Sequence, residues 1–130
     1  MARTRRLWSP EHYDHVVIRG NNRQNIFGKA EDVFYWFQIL DDIYLEHSFT
    51  VAAYCIMTNH VHLLIRSPEE HLSTIMMKLN KRYSMYFKRK YGYSDHLYEK
   101  RYFAKMAKGT RALLDMSTYI HRNPIRTNPP

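Results

Sequence analysis

The pattern of apolar and polar residues along the chain predicts four strands and three helices. The predicted strands cover residues 12–19, 49–56, 60–66 and 97–107. The predicted helices cover residues from about 31 to 47 and from about 71 to 91, and a final helix begins at Gly109-Thr110, where Thr110 is a suitable N-cap. The elements therefore follow the order βαββαβ, with one additional helix at the end.

The two long helices each have apolar residues at helical spacing, as expected for helices that pack on a sheet. In the first helix these residues are Val33, Phe34, Phe37, Leu40, Ile43 and Tyr44. In the second helix one arc contains Leu72, Ile75, Met76, Leu79, Tyr83, Tyr86 and Phe87.

The opposite arc of the second helix is basic, and it contains Lys78, Lys81, Arg82, Lys88 and Arg89. A charged helical face is often simply solvated. A stripe of cations without an acid on the same helix also suits a row of phosphates. Together with Arg19 and Arg23, which lie at the end of the first strand and in the turn after it, these residues are the candidate contacts to nucleic acid.

The order of elements predicts an α+β fold, a ferredoxin-like sandwich in one domain that spans residues 1–130. This fold has a four-stranded antiparallel sheet with two helices on one face. The strands 49–56 and 60–66 are expected to form a hairpin around Thr58-Asn59, and the strand 60–66 is expected to be central. The C-terminal helix is additional to this sandwich.

Two histidines, His60 and His62, lie two residues apart within an apolar run. On a strand they project from one side, while Val61, Leu63 and Ile65 project from the other side into a core. Two imidazoles on a stiff strand can be part of a metal site, or they can be hydrogen-bonded structural residues. The spacing alone does not distinguish these interpretations.

Near the C-terminus, Tyr119 and Asn123 are spaced i,i+4 and therefore share a face of the last helix, which Pro124 ends. The helix end presents a phenol beside a carboxamide. A tyrosine in such a position is more often a packing residue than a nucleophile. Its pairing with Asn123 and with the distant histidines favours a chemical role, and this helix is expected to bring both residues against His60 and His62.

Composition narrows the classes of function. The net charge of +8 indicates a polyanionic partner, and tyrosines interleaved with the basic residues suit single-stranded nucleic acid, although most aromatic residues are expected in the core. No apolar run approaches the roughly 20 residues that span a membrane. The one cysteine, Cys55, is expected to be a small buried hydrophobe, and the sequence predicts a cytoplasmic protein.

Four segments in this order make the chain similar to a known family. They are Ile18-Arg-Gly-Asn-Asn-Arg-Gln-Asn-Ile-Phe27, Ala53-Tyr-Cys-Ile-Met-Thr-Asn-His60-Val-His62, Leu79-Asn-Lys-Arg-Tyr83 followed by Tyr86-Phe87, and Tyr119-Ile-His-Arg-Asn-Pro-Ile-Arg126. The chain resembles the IS200/IS605-like single-tyrosine HUH transposases over nearly its whole length. Within them it is most similar to the REP-associated tyrosine transposases.

The resemblance implies a metal-dependent transposase that cleaves and rejoins single-stranded DNA at hairpin-containing ends. By this resemblance Tyr119 is the nucleophile and forms a 5′-phosphotyrosine intermediate, while His60, His62 and Asn123 bind Mg²⁺ or Mn²⁺. The implied partner is single-stranded or hairpin DNA. IS200/IS605 relatives act as homodimers and REP-associated relatives can act as monomers, so the resemblance leaves the oligomeric state open.

Two alternatives remain at the level of the sequence. The first is a catalytically silent ferredoxin-like module, derived from a transposase, that binds DNA or RNA. The second is a metal-dependent hydrolase of another substrate, for which Asp115 is the nearest candidate base. A covalent adduct at Tyr119 would distinguish the transposase from both.

Overall fold

The computed structural model describes residues 12–99 and 102–107. The strands are β1 (Tyr13–Arg19), β2 (Thr50–Ile56), β3 (His60–Arg66) and β4 (Phe103–Ala107), and the helices are α1 (Ala30–Glu46) and α2 (Leu72–Tyr91). A short 3₁₀ turn, Asn21–Arg23, follows β1. The first five predicted elements are confirmed to within one residue at each end.

The strands form one antiparallel sheet in the order β2-β3-β1-β4. This is the predicted ferredoxin-like α+β topology, and the strand that carries the two histidines is central, as expected. The predicted last strand, 97–107, was too long. Tyr98 makes an isolated bridge to Gly20, and the regular pairing of β4 with β1 begins at Phe103.

The main core lies between the sheet and the two helices. Val61, Leu63 and Ile65 of β3 have no exposed surface and pack in this core with residues of both helices, which confirms the predicted alternation. Cys55 is also buried, but it belongs to a smaller cluster with Ala53 and Leu64. That smaller cluster lies on the sheet face that carries the histidines.

The two helices differ in how well their apolar faces were predicted. All the arc residues of α2 are buried except Tyr86, which is half-buried. In α1 the buried apolar residues are Trp36, Ile39, Leu40 and Ile43. Phe34 is 78% exposed and Tyr44 is 58% exposed, so these two residues of the predicted apolar pattern do not face the core.

Asp32 joins the start of α1 to the end of α2. Its buried carboxylate accepts hydrogen bonds from the backbone N–H groups of Gly28 and Lys29, at 2.8 and 2.9 Å, and from the hydroxyls of Tyr86 and Tyr91, each at 2.6 Å. Lys90 donates to the same carboxylate at 2.7 Å. These bonds outweigh the effect of burial and hold the pKa of Asp32 well below its usual range.

We expect Asp32→Asn to lower the free energy of unfolding by about 3 kcal/mol, because it removes the charge that Lys90 and the two tyrosine hydroxyls stabilise. Urea denaturation at pH 7 measures this. The contribution of Asp32 to the free energy of unfolding should be complete above pH 3.8, the ordinary carboxyl pKa, and should fade as the pH falls below it. Below that pH the unfolded chain binds a proton at Asp32 while the folded carboxylate stays charged.

Glu31→Gln is the matched control, because Glu31 is an exposed carboxylate that also pairs with Lys90. We expect this variant to unfold close to the wild-type midpoint. Equal destabilisation by the two substitutions would contradict the role given to Asp32.

Candidate functional site

The sheet face opposite the helices carries three histidines. Because side chains alternate along a strand, the burial of Val61 and Leu63 on the helix side places His60 and His62 together on the other face. The antiparallel register sets Arg19 opposite His60 and Val17 opposite His62. His15, two residues before Val17, therefore lies on the same face and next to His62.

The ring of His60 is oriented by its neighbour in sequence. Its Nδ1 lies 2.7 Å from the side-chain oxygen of Asn59, which can only accept a hydrogen bond. Nδ1 of His60 therefore carries the proton, and Nε2 keeps its lone pair. This arrangement presents Nε2 as a donor atom for a cation.

The ring of His62 is held by His15. Nδ1 of His62 lies 2.9 Å from Nε2 of His15, and the two rings stack with their centroids 5.1 Å apart. In the tautomer in which His62 Nδ1 donates and His15 Nε2 accepts, Nε2 of His62 keeps its lone pair. The rings of His60 and His62 have centroids 5.0 Å apart, so two ring nitrogens can face one site.

All three imidazoles are held neutral. Burial, with smaller contributions from the charge that His15 and His60 would carry if protonated and from Arg19, lowers the pKa of His62 from 6.5 to about 4. Burial followed by the charge of Arg19 lowers the pKa of His60, and burial followed by the charge of Lys105 lowers that of His15. Neutral imidazole is the form that binds metal ions.

The turn after β1 is bonded to the hairpin that carries the histidines. Gly20 N–H donates to Asn59 O at 2.9 Å, and Ile26 N–H donates to Thr58 O at 2.7 Å. A Cβ at Gly20 would lie 2.2 Å from Gln24 O, so this close turn requires glycine. The turn and the hairpin consequently form one rigid wall of the site.

That wall borders a cavity of about 520 Å³ beside His60, and Arg19, Arg23, Asn59 and Glu99 are among the residues that line it. The guanidinium of Arg19 lies 5.6 Å from the centre of the Phe103 ring, a cation–π distance that helps to fix its position. Two arginines near neutral imidazoles give the cavity a positive charge suited to a phosphate group.

The other predicted DNA contacts lie apart from this cavity. Lys78 and Arg82 both pair with Glu46 of α1, at 3.0 and 3.1 Å, so the acid that is missing from α2 is supplied by the neighbouring helix. Lys81 and Lys88 line a separate groove along α2, and Arg89 is exposed on the same helix. Tyr119, Asn123 and Asp115 lie outside the described residues.

Two of the described residues are suited to be donors to a divalent metal. Within residues 12–99 and 102–107, no group of three or more His, Cys, Asp or Glu side chains is placed to hold a metal ion. His60 and His62 nevertheless offer two neutral nitrogen donors, and they leave coordination positions open for other ligands. The pair fits Mn²⁺ better than Mg²⁺, because imidazole is softer than carboxylate.

Sequence reasoning did not identify His15 or Asn59 as part of the site. Asn59 was read as a hairpin residue, although its place directly before His60 is a usable signal. His15 shares the alternation of Val17 and Arg19 along β1, but its distance from His62 is set by strand pairing across 47 positions. No local pattern contains that pairing.

A ferredoxin-like α+β domain with a histidine pair beside a basic cavity is the class that this fold and site define. Within that class, a profile of the family described as Transposase IS200 like matches residues 9–123, and the chain belongs to this family of DNA transposases. A search of curated protein sequences found no significant match.

Two solved structures share the fold. A REP-associated tyrosine transposase bound to a REP hairpin superposes with a TM-score of 0.77 at 14% identity, covering 98% of this chain and 75% of that one. A protein of Deinococcus radiodurans R1 described as a candidate transposase gives a TM-score of 0.58 at 19% identity, covering 94% and 97% of the two chains. In the described part of the chain, neither helix has the length and apolar character needed to cross a membrane.

We expect the His62 ring to stay neutral at pH 5.5, because burial places its pKa near 4 instead of 6.5. Long-range ¹H–¹⁵N NMR spectra of the metal-free protein, recorded from pH 8 to pH 4, report the protonation state of each imidazole. His62→Asn assigns the signal. A His62 midpoint at or above pH 6 would contradict the buried, neutral site.

Proposed function

We propose that this protein is a metal-dependent transposase that cleaves and rejoins single-stranded DNA through a 5′-phosphotyrosine intermediate. One observation carries the proposal most directly: His60 and His62 share a sheet face, with their Nδ1 atoms engaged by Asn59 and His15. In the tautomer in which His62 donates from Nδ1, Nε2 of each ring is a donor atom, and His60 lines a basic cavity in a chain of the IS200-like family.

In this proposal His60 and His62 hold Mg²⁺ or Mn²⁺ together with Asn123, whose amide oxygen is the third predicted ligand. When bound, the cation supplies electrophilic stabilisation of the charge on the phosphate undergoing substitution. Three neutral ligands leave its full charge available for that purpose. Arg19 and Arg23 contribute positive charge from the protein side of the same cavity.

The proposed reaction is a transesterification in two symmetrical steps. The phenolic oxygen of Tyr119 attacks the phosphorus, the bond from phosphorus to the 3′ oxygen breaks, and the 3′ oxygen gains the proton that the phenol loses. The product is a 5′-phosphotyrosine and a free 3′-hydroxyl. A 3′-hydroxyl of another strand end then attacks the phosphotyrosine, which restores a phosphodiester and the free tyrosine without ATP.

The proposed substrate end contains a hairpin. The solved relative with a REP hairpin bound supports this choice, and so does the net charge of +8. The alternative is a silent module that binds nucleic acid, and the placement of His60 and His62 on one sheet face argues against it because simple binding does not need two adjacent imidazoles. A cytoplasmic location remains a prediction from the sequence, which leaves open whether the protein is a monomer or a homodimer.

We expect incubation with a labelled hairpin oligonucleotide and Mn²⁺ to give a protein–DNA adduct that resists denaturation. Tyr119→Phe should abolish the adduct, because it removes the attacking oxygen. His60→Ala or EDTA should lower its yield at least a hundredfold. Denaturing gels with separate 5′ and 3′ labels measure the yield, and the proposed polarity predicts that the DNA downstream of the cut stays on the protein.

Tyr44→Phe is the matched control, since Tyr44 is an exposed tyrosine of α1 that lies outside the site. Its adduct yield should equal that of the wild type. If DNA binds and no adduct forms with hairpins of several sequences, the chain is the binding module instead. Release of cleaved DNA with no adduct at any time would favour the hydrolase.

We further expect His15→Phe to weaken Mn²⁺ binding about tenfold, because the Phe ring keeps the stacking and removes the acceptor that fixes the His62 tautomer. Electron paramagnetic resonance of free Mn²⁺, recorded without DNA, measures the affinity. His15→Gln supplies a new acceptor and should recover part of it.

Lys105→Gln controls for charge beside this pair, because Lys105 lies opposite His15 in the β1–β4 register. That variant should bind Mn²⁺ like the wild type. An unchanged affinity in His15→Phe would show that His15 does not position His62.

A further inference from the structure

A second cavity lies along α2 and is not explained by the metal site. It is a groove of about 700 Å³ between one side of α2 and residues 96–99 with Tyr102, which precede β4. Volumes of this order accommodate small organic ligands and nucleotides. Met77, Lys81, Ser84 and Lys88 line the helix side, and Tyr98 lines the other.

The chemistry of the groove suits a strand of nucleotides. Met77 is 61% exposed and offers an apolar surface, and the Tyr98 ring is held in place by a hydrogen bond from its hydroxyl to Asn80 O at 3.1 Å. Within the described residues no ion pair involves Lys81 or Lys88, whereas Lys78 and Lys90 of the same helix pair with carboxylates. Apolar surfaces next to available cations are the pattern of single-strand binding sites.

The groove adjoins the cavity beside His60. Asn21 and Glu99 line both of them. The junction is rigid, because Asn21 N–H donates to Leu97 O and Glu99 N–H donates to Arg19 O, each at 2.9 Å. A polymer whose phosphate lies at His60 can extend past this shared edge into the groove, whereas a small molecule would occupy one cavity alone.

We propose that this groove is a subsite for the nucleotides that flank the cleaved phosphate, with bases against Met77 and Tyr98 and phosphates on Lys81 and Lys88. The proposal rests on the proposed function, since it takes the cavity beside His60 as the place of cleavage. Glu99 is an acidic residue at the junction, and it favours the exocyclic amino group of a base over a phosphate at that point.

The test uses the full chain and fluorescein-labelled single-stranded DNA of graded length, from short oligonucleotides that fill the His60 cavity to longer ones that also reach the groove. The double variant Lys81→Gln/Lys88→Gln should bind the longer DNA about tenfold more weakly and the short DNA equally. Its slope of log affinity against log salt should fall by about 1.4, roughly 0.7 for each lost phosphate contact.

Ser84→Trp fills the groove without changing charge and should weaken binding of the longer DNA alone. Lys29→Gln is the control for net charge, because Lys29 is exposed at the start of α1 and does not line the groove. It should leave the length dependence unchanged. Circular dichroism confirms that each variant is folded.

A photoreactive 4-thiothymidine placed next to the cleavage point supplies a direct readout, and the crosslinked peptide should contain Met77 or Tyr98. Unchanged binding of longer DNA by both groove variants, or crosslinks confined to other segments, would overturn the proposal. Adduct formation is scored separately with the short DNA. If the proposed function is wrong, no protein forms an adduct. If the groove proposal is wrong, the groove variants bind short and longer DNA with the same affinities as the wild type.

Discussion

Val61, Leu63 and Ile65 have no exposed surface, and their burial against the two helices determines which face of the sheet carries His60 and His62. Each such side chain contributes about 2 kcal/mol by leaving water. A slip of one residue in the pairing of β3 would expose all three and move both imidazoles into the apolar core. The position of the histidines is therefore a consequence of hydrophobic burial on the opposite face.

Strand pairing and the turn after β1 then place the arginines of the site beside the histidines. The β1–β3 register places Arg19 beside His60 and brings His15 to His62. The carbonyl groups of Thr58 and Asn59 accept hydrogen bonds from the segment after β1. Backbone bonds thus hold the segment that carries Arg19 and Arg23 beside the hairpin that carries the histidines.

Local patterns in the sequence were sufficient for the first five elements and for the central strand, because periodicity depends on neighbouring residues. They were insufficient where the outcome depends on partners distant in sequence. Glu46 of α1 pairs with Lys78 and Arg82 of α2. The hydrogen-bond partners of Asp32 on α2 are between 54 and 59 positions away along the chain. Phe34 is exposed for the same reason: α1 packs on the sheet through Trp36 and Ile39, and the local pattern does not reveal this orientation.

The separation of β1 from β3 along the chain has a consequence for how the protein folds. The β2–β3 hairpin closes a short loop, so His60 and His62 can come together on an otherwise unstructured chain. His15 lies 47 positions before His62, and β1 can join only after the intervening chain has closed a much longer loop. We therefore expect the hairpin with His60 and His62 to form early in folding, and His15 and Arg19 of β1 to join it late.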